Sequence, residues 1–345
     1  MAERPVTVLI ASPLEREYAD RIAAAYPDRV RLVHVPDLLP VPRYIGDHNG
    51  IPRNLGAEDL ARWRSLLEDA DVLFDFDWLD AAALPLSAPR LQWVQGTSAG
   101  IGEYLVRTGL ADGPIAFTTA AGAHGVALAE FVALALLYHV KGVAELKRRQ
   151  AAHLWERYTA ERLEGRRVVL VGLGNVGRAI ARTCGALGMD VVAMPRLAPA
   201  MLPEGVSRII ARGSLGAELA DADALVLACP YTPETHHLIG AAELAALPPR
   251  AIVVNVARGA IVDEPALVAA LADRRIAGAF LDVFETEPLP PESPLWDMEN
   301  VVVSPHSAST VGGENDFLVE LFIDNLGRFL DGRPLRNRFE RERGY

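Results

Sequence analysis

The stretch Val168-Val169-Leu170-Val171-Gly172-Leu173-Gly174-Asn175-Val176-Gly177 constrains this chain more than any other. A β-branched run leads directly into GxGxxG, and a helical run follows. The three glycines have separate tasks. Gly172 permits the tight turn, Gly174 lets a pyrophosphate approach the backbone, and Gly177 lets the helix pack close to the strand. The helix N-terminus at Asn175 and Val176 then offers unpaired N–H groups and a positive dipole end to phosphates. A bare GxGxxG is weak, because glycine-rich turns are common; the strand–turn–helix context makes this one specific.

A site that prefers NAD places Asp or Glu about 20 residues further on, where it accepts the ribose 2′-hydroxyl. The second strand reads Val191-Val192-Ala193-Met194, and Pro195-Arg196 follow it. The carboxylate is missing, and a guanidinium sits beside the gap. Guanidinium geometry matches phosphate, so the sequence favours NADP(H), with NAD(H) as the alternative. The plainer reading of Arg196 is a solvated cation over the adenine that tolerates both.

The rest of the chain supports an α/β class. Pro5–Ser12, Val30–Val35, Asp71–Phe76, Leu91–Thr97 and Ile115–Thr119 read as strands, with helical spacing over Leu14–Tyr26 and Ala57–Ala70. From Arg167 the alternation repeats, with strands at Arg167–Val171, Val191–Met194, Ala224–Ala228, Ile252–Val254, Gly278–Leu281 and Val301–Val303. Six strands with crossover helices are what a doubly wound dinucleotide-binding domain requires. Gly125–Gln150 reads as one long helix, almost wholly apolar in its first half and so buried there, at a domain or subunit boundary. Glu314–Leu330 is also helical. Pro40–Asn54, rich in Pro, Gly, Asp and Asn, is long enough for a functional loop.

A chain of 345 residues exceeds what one core holds, so two domains are expected. Half the residues are hydrophobic and 23% are charged, as in a folded protein and not a disordered one. The net charge of −11 argues against a nucleic-acid partner, which needs a basic face. Val126–Val140 is too short to span a membrane, and the N-terminus shows no secretory pattern. Cys184 and Cys229 form no disulfide framework or CxxC motif. These features fit a cytoplasmic protein, and no metal-ligand cluster stands out.

Three short stretches carry the chemistry: Asn255-Val256-Ala257-Arg258-Gly259, Leu281-Asp282-Val283-Phe284-Glu285-Thr286-Glu287-Pro288, and Ser304-Pro305-His306-Ser307-Ala308. Each follows a predicted strand, and ligands of open α/β sheets bind outside the carboxyl ends of strands. Reduction of a 2-oxo acid needs a cation for the carboxylate and keto oxygen, an acid for that oxygen, and a group that keeps the acid charged. Arg258 supplies a fork of donors. His306 is the acid, with an ordinary pKa near 6.5. Glu287 favours its imidazolium. Taken singly, a His after a strand is usually structural and an Arg usually a surface charge; the conjunction downstream of the glycine turn carries the reading.

Together these motifs resemble the D-isomer-specific 2-hydroxyacid dehydrogenase family, which includes glyoxylate/hydroxypyruvate reductases. GLGNVG at 172–177, NVARG at 255–259, LDVFETEP at 281–288, SPHSA at 304–308, Trp155 and the ending FIDNLGRFLDGRPL at 322–335 carry the likeness. The resemblance implies an Arg–Glu–His catalytic set at Arg258, Glu287 and His306, with Asp282 near the nicotinamide amide. It implies that Cys229 and Pro230 run along the cofactor, beside Ala257. It further implies that Ala99, Gly100 and Ile101 grip the substrate carboxylate through backbone N–H groups. The implied fold is two Rossmann-like domains: a doubly wound cofactor domain at 120–307, inserted into a smaller flavodoxin-like substrate domain at 1–119 and 308–345. An active-site cleft and a homodimer formed through the Gly125–Gln150 region are also implied.

The chain departs from the family where Gly102 follows the glycine turn in place of a common Asp. Ser307 and Ser309 also stand where an aromatic residue is frequent. The expected function is hydride transfer between NAD(P)H and a small 2-oxo acid or D-2-hydroxy acid. The alternatives are phosphoglycerate or formate oxidation on the same scaffold, and a nucleotide-sensing or corepressor-like protein. An intact Arg–Glu–His set favours catalysis over sensing, since a sensor has no need of it.

Overall fold

A computed structural model describes residues 4–341. The chain divides into two compact units, Met1–His124 with Thr310–Tyr345, and Gly125–Ser309. These divisions fall a few residues beyond the boundaries expected from sequence.

In the first unit, strands β1 (Val6–Ile10), β2 (Val30–Val33), β3 (Val72–Phe74), β4 (Trp93–Gln95) and β5 (Ala116–Thr118) form one sheet. Its order is β2-β1-β3-β4-β5, and every pairing is parallel. The helix Glu314–Leu330 returns to this unit and buries Phe322, which stacks on Trp93 at 5.2 Å between ring centroids. Aromatic contacts of this kind dominate small cores because each ring removes a large apolar area from water. Two buried indole nitrogens are satisfied: Trp63 Nε1 donates to Asp77 Oδ1 at 2.9 Å and Trp93 Nε1 to Thr118 Oγ1 at 2.8 Å. The Pro40–Asn54 loop is built around the buried Asp47. Its Oδ2 accepts from Arg43 Nε at 2.7 Å and its Oδ1 from the Gly50 N–H at 3.0 Å.

The second unit holds β6 (Arg167–Val171), β7 (Asp190–Met194), β8 (Arg208–Ile209), β9 (Ala224–Leu227), β10 (Ile252–Asn255), β11 (Gly278–Leu281) and β12 (Val301–Val303). The order β12-β11-β10-β9-β6-β7-β8 is all parallel. The near-continuous apolar runs of β6, β9, β10 and β11 follow from burial on both faces. The seventh strand, β8, has two residues, too short to leave a pattern in the sequence.

The expected single helix over Gly125–Gln150 is two helices. Gly125–Val140 ends where Gly142 takes a left-handed φ of 63°, and Val143–Ala151 continues after a 59° bend. Gly is the residue that closes a helix at this backbone conformation; the apolar pattern hid the break. Gly125–Val140 is also less buried than expected, since Val126 and Leu134 are exposed. No single helix among the described residues is long and apolar enough to cross a membrane.

Candidate active site

The glycine turn joins β6 to the helix Asn175–Ala186. At Gly172 φ is +99°, and an added Cβ would stand 2.6 Å from the Ala228 carbonyl and the Cys229 nitrogen. A Cβ on Gly177 would overlap the Gly172 carbonyl. These two glycines therefore serve the packing of the turn itself. Gly174 differs: a Cβ there meets nothing within 4 Å. Gly174 precedes the helix with no side-chain cap, so the first-turn N–H groups stay available beside an open cradle. This arrangement fits a pyrophosphate.

Strand order places the remaining cofactor-side residues. β9 pairs with β6, and the Ala228 N–H donates to the Val171 carbonyl at 2.8 Å, so Cys229 and Pro230 flank the turn on one side. β7 pairs with β6 on the other side and delivers Arg196, which is exposed. The Cys229 thiol is pushed up to about 11 and the Cys184 thiol to about 12, both by burial, so neither is a nucleophile at neutral pH.

Arg258, Glu287 and His306 leave the carboxyl ends of β10, β11 and β12, three adjacent strands. His306 Nδ1 lies 2.8 Å from Glu287 Oε2. The hydrogen bond to the Glu287 carboxylate raises the His306 pKa above its ordinary value, overcoming burial and the nearby Arg258 charge, which both oppose it. Glu287 is lowered; burial works against this and the His306 bond, the Phe284 N–H and Arg258 outweigh it. Holding Nδ1 leaves Nε2 as the ring nitrogen available to a reactant. Arg258 is half-buried and acts on both partners electrostatically, while one Nη1 donates to the Ala257 carbonyl at 2.7 Å.

The loops are fixed by Asn255 and Gly259, which sequence reasoning did not single out, and by Asp282, which it assigned to the cofactor side. Asn255 is buried; its Nδ2 donates to the Arg258 carbonyl at 3.0 Å and its Oδ1 accepts from the Ala257 N–H at 3.0 Å. A Cβ on Gly259 would overlap the backbone of Phe284 and Glu285, so the Arg258 turn and the Glu287 loop touch backbone to backbone there. Phe284 N–H donates to Glu287 Oε1 at 3.0 Å. Asp282 Oδ1 accepts from Ser304 Oγ at 2.6 Å, Ser307 N–H at 2.8 Å and Ala308 N–H at 2.9 Å, and its carbonyl accepts from His306 N–H at 3.0 Å. His306 has a φ of 53°, an uncommon conformation for a residue with a side chain, and these bonds hold it. An Asn amid a buried apolar run, and an Asp at a strand end, were the available signals.

In the first unit the turn Ser98–Ile101 follows β4. Gly100 N–H donates to Ser98 Oγ at 3.2 Å, Ala99 is half-buried, and Ile101 is buried ahead of the short helix Gly102–Arg107. Among the described residues no group of three or more His, Cys, Asp or Glu is placed to hold a metal ion.

A parallel sheet with an open glycine cradle, and a His–carboxylate pair beside an arginine at its carboxyl edge, define an α/β dinucleotide-dependent oxidoreductase. The sequence profile of the D-isomer specific 2-hydroxyacid dehydrogenase NAD binding domain matches residues 133–308, and the chain belongs to that family. It is 36% identical over 222 residues to (S)-sulfolactate dehydrogenase of Chromohalobacter salexigens, covering 64% of this chain and 71% of that one. It is 32% identical over 281 residues to glyoxylate reductase of Korarchaeum cryptofilum, covering 77% and 81%. A crystal structure of a D-isomer specific 2-hydroxyacid dehydrogenase from Xanthobacter autotrophicus Py2, in complex with NADPH and MES, superposes with a TM-score of 0.79 at 30% identity. That match covers 99% of this chain and 100% of the other.

Proposed function

We propose that the protein reduces small 2-oxo acids of the glyoxylate and hydroxypyruvate kind to D-2-hydroxy acids, using NADP(H) in preference to NAD(H). The observation that carries the reading is the 2.8 Å His306–Glu287 pair beside Arg258 at the carboxyl edge of the cofactor sheet. The bound dinucleotide supplies the hydride that reaches carbon 2 of the substrate. Arg258 holds the substrate and polarises its keto oxygen. His306 gives its Nε2 proton to that oxygen as charge develops there, and keeps its Nδ1 hydrogen bond to Glu287 throughout. In the reverse direction neutral His306 takes the hydroxyl proton. The N–H groups of Ala99 and Ile101 serve the substrate carboxylate, since the Gly100 N–H already donates to Ser98 Oγ.

On the cofactor side, Gly174 and the first-turn N–H groups of Asn175 and Val176 bind the pyrophosphate over the turn that Gly172 and Gly177 pack, Arg196 binds the 2′-phosphate, and Cys229, Pro230, Ala257 and Asp282 line the remaining length. The NADPH in the Xanthobacter relative supports the cofactor preference. The reading includes a homodimer formed through the Gly125–Gln150 region. Val126, Leu134, Leu137 and Leu146 are exposed there, and Trp155, just beyond, is 99% exposed. These exposed apolar side chains support the dimer reading, because covering apolar surface is what an interface does.

The test is a panel of glyoxylate, hydroxypyruvate, pyruvate and bulkier 2-oxo acids, each run with NADPH and NADH. Turnover of the small acids with NADPH is expected. A purified, folded protein that turns over none of them with either cofactor refutes the reading. Sedimentation analysis checks the dimer.

A further inference from the structure

The tripeptide Glu285-Thr286-Glu287 carries two carboxylates, and each meets a histidine. Glu287 has His306 at 2.8 Å. Glu285 has His237, whose Nε2 lies 2.6 Å from Glu285 Oε1. Both histidines hold a left-handed backbone, with φ of 47° at His237 and 53° at His306. That conformation is uncommon for a residue with a side chain, and it persists where the surrounding bonds impose it.

His237 stands on a fixed base. Its N–H donates to the Ala260 carbonyl at 2.9 Å, and the Ile239 N–H donates to the Ile261 carbonyl at 3.1 Å. Both carbonyls belong to the turn that follows Arg258. Earlier in the same loop, Thr235 Oγ1 donates to the Pro230 carbonyl at 2.9 Å and accepts from the Thr232 N–H at 2.7 Å. The loop after β9 is therefore braced within itself and against the Arg258 turn before the imidazole reaches Glu285.

Glu285 is pinned by its backbone and by its side chain. Its N–H donates to Glu264 Oε2 at 3.0 Å, and its Oε1 accepts from the Glu264 N–H at 3.4 Å as well as from His237. The titratable groups that face the pair are Glu264 and His236, whose ring stacks on His237 at 4.0 Å between centroids. One residue before Glu285, the Phe284 N–H donates to Glu287 Oε1 at 3.0 Å. Holding residue 285 thus sets the short turn that aims Glu287 at His306. The His237 and Glu285 side chains are 39% and 29% exposed, and an ion pair this open to solvent adds little to stability. Its effect is on geometry.

We propose that His237 is a positioning residue for the proton chemistry: through Glu285 it fixes the carboxylate that holds the His306 ring. The inference rests on the functional reading above and adds to it a residue that acts through two others. Misplacing a reacting group by about 1 Å costs up to about a hundredfold in rate, so a pair that contributes little to folding can still govern turnover.

The experiment joins a histidine-selective NMR titration of the full chain to steady-state kinetics with glyoxylate. Wild type, His237→Phe, His237→Gln and Glu285→Ala are compared, with circular dichroism to check folding. Phe keeps a ring to stack on His236 but has no donor, whereas Gln offers an amide N–H near the place of Nε2. In His237→Phe the titration midpoint of His306 is expected to move down towards about 6.5. Its kcat is expected to fall about tenfold with KM little changed, since a misplaced acid weakens the transition state and not substrate binding. Glu285→Ala, which removes the other half of the pair, is expected to match it, and His237→Gln to restore both midpoint and kcat. If wild type is active and both His237→Phe and Glu285→Ala keep the wild-type midpoint, the positioning role is overturned whatever their kcat, and the functional reading stands. If His237→Gln loses as much as His237→Phe, the donor is not what matters and the role is also overturned. If wild type reduces no 2-oxo acid with either cofactor, the functional reading fails and takes the role with it.

Discussion

His306 Nδ1 and Glu287 Oε2 stand 2.8 Å apart on loops that leave the neighbouring strands β12 and β11. The pair depends on two separate constraints. Asp282 ties the His306 loop back to the end of β11 through its carboxylate and carbonyl, and Phe284 N–H orients the Glu287 carboxylate. Because both loops are anchored to the same strand end, a change in one is felt by the other.

The raised pKa of His306 fixes the sign of the pH dependence. Reduction needs imidazolium, so its kcat/KM should be flat at low pH and fall as pH rises through the His306 value. Glu287→Gln removes the negative charge that raises that value. The fall should then begin at lower pH, and the oxidation direction should gain its activity at lower pH. Initial rates in both directions from pH 5 to 9 check this. An unmoved profile in Glu287→Gln would remove the carboxylate from the proton chemistry.

His306→Gln should reduce kcat by roughly 10²–10⁴-fold, the range for loss of a general acid. Dinucleotide affinity should stay as it is, since no cofactor-side contact is assigned to this ring. Stopped-flow single turnovers separate the chemical step from product release, and a wild-type rate there would exclude the role.

Much of this was legible in the sequence because the responsible signals are local. The strands of the second unit are apolar runs bounded by turns, and the glycine turn announces both itself and its helix. Arg258, Glu287 and His306 each follow such a strand, so topology alone brings them to one edge. What stayed hidden is non-local. Asp282 serving Ser304, Ser307 and Ala308 is a contact across two strand ends, and nothing in its spacing marks it. The two-residue β8 has no periodicity to read, so its pairing with β7 appears only in the register. At Gly142 the apolar pattern runs on while the backbone turns, since hydrophobic spacing reports burial and not φ.

Gly259→Ala tests the seam between the Arg258 turn and the Glu287 loop. The added methyl would overlap backbone atoms of Phe284 and Glu285, which cannot swing aside as a side chain tip can. The two loops must separate or the variant must lose stability by a few kcal/mol, as overpacking does. Thermal unfolding and kcat measured together are expected to fall. Wild-type values of both would show that the seam is slack.

Glu314 gives a stability prediction with a defined window. It opens the helix Glu314–Leu330, its side chain is 11% exposed, and burial pushes its carboxyl up to about 7 from 4.5. Between those two values the folded chain holds a proton that the unfolded chain has released. Stability should therefore fall as pH rises from about 4.5 to about 7, by about 3 kcal/mol at most, and then level off. Glu314→Gln keeps the neutral form at every pH, so it should flatten that slope and exceed wild type in stability at pH 8. The opposing influence is His124, whose Nδ1 lies 3.4 Å from Glu314 Oε1; as imidazolium it would stabilise the carboxylate and erase the slope. Denaturant unfolding at pH 5, 6, 7 and 8 reads the difference between the two proteins. Parallel curves would mean that Glu314 is ionised throughout, held by His124 against the burial.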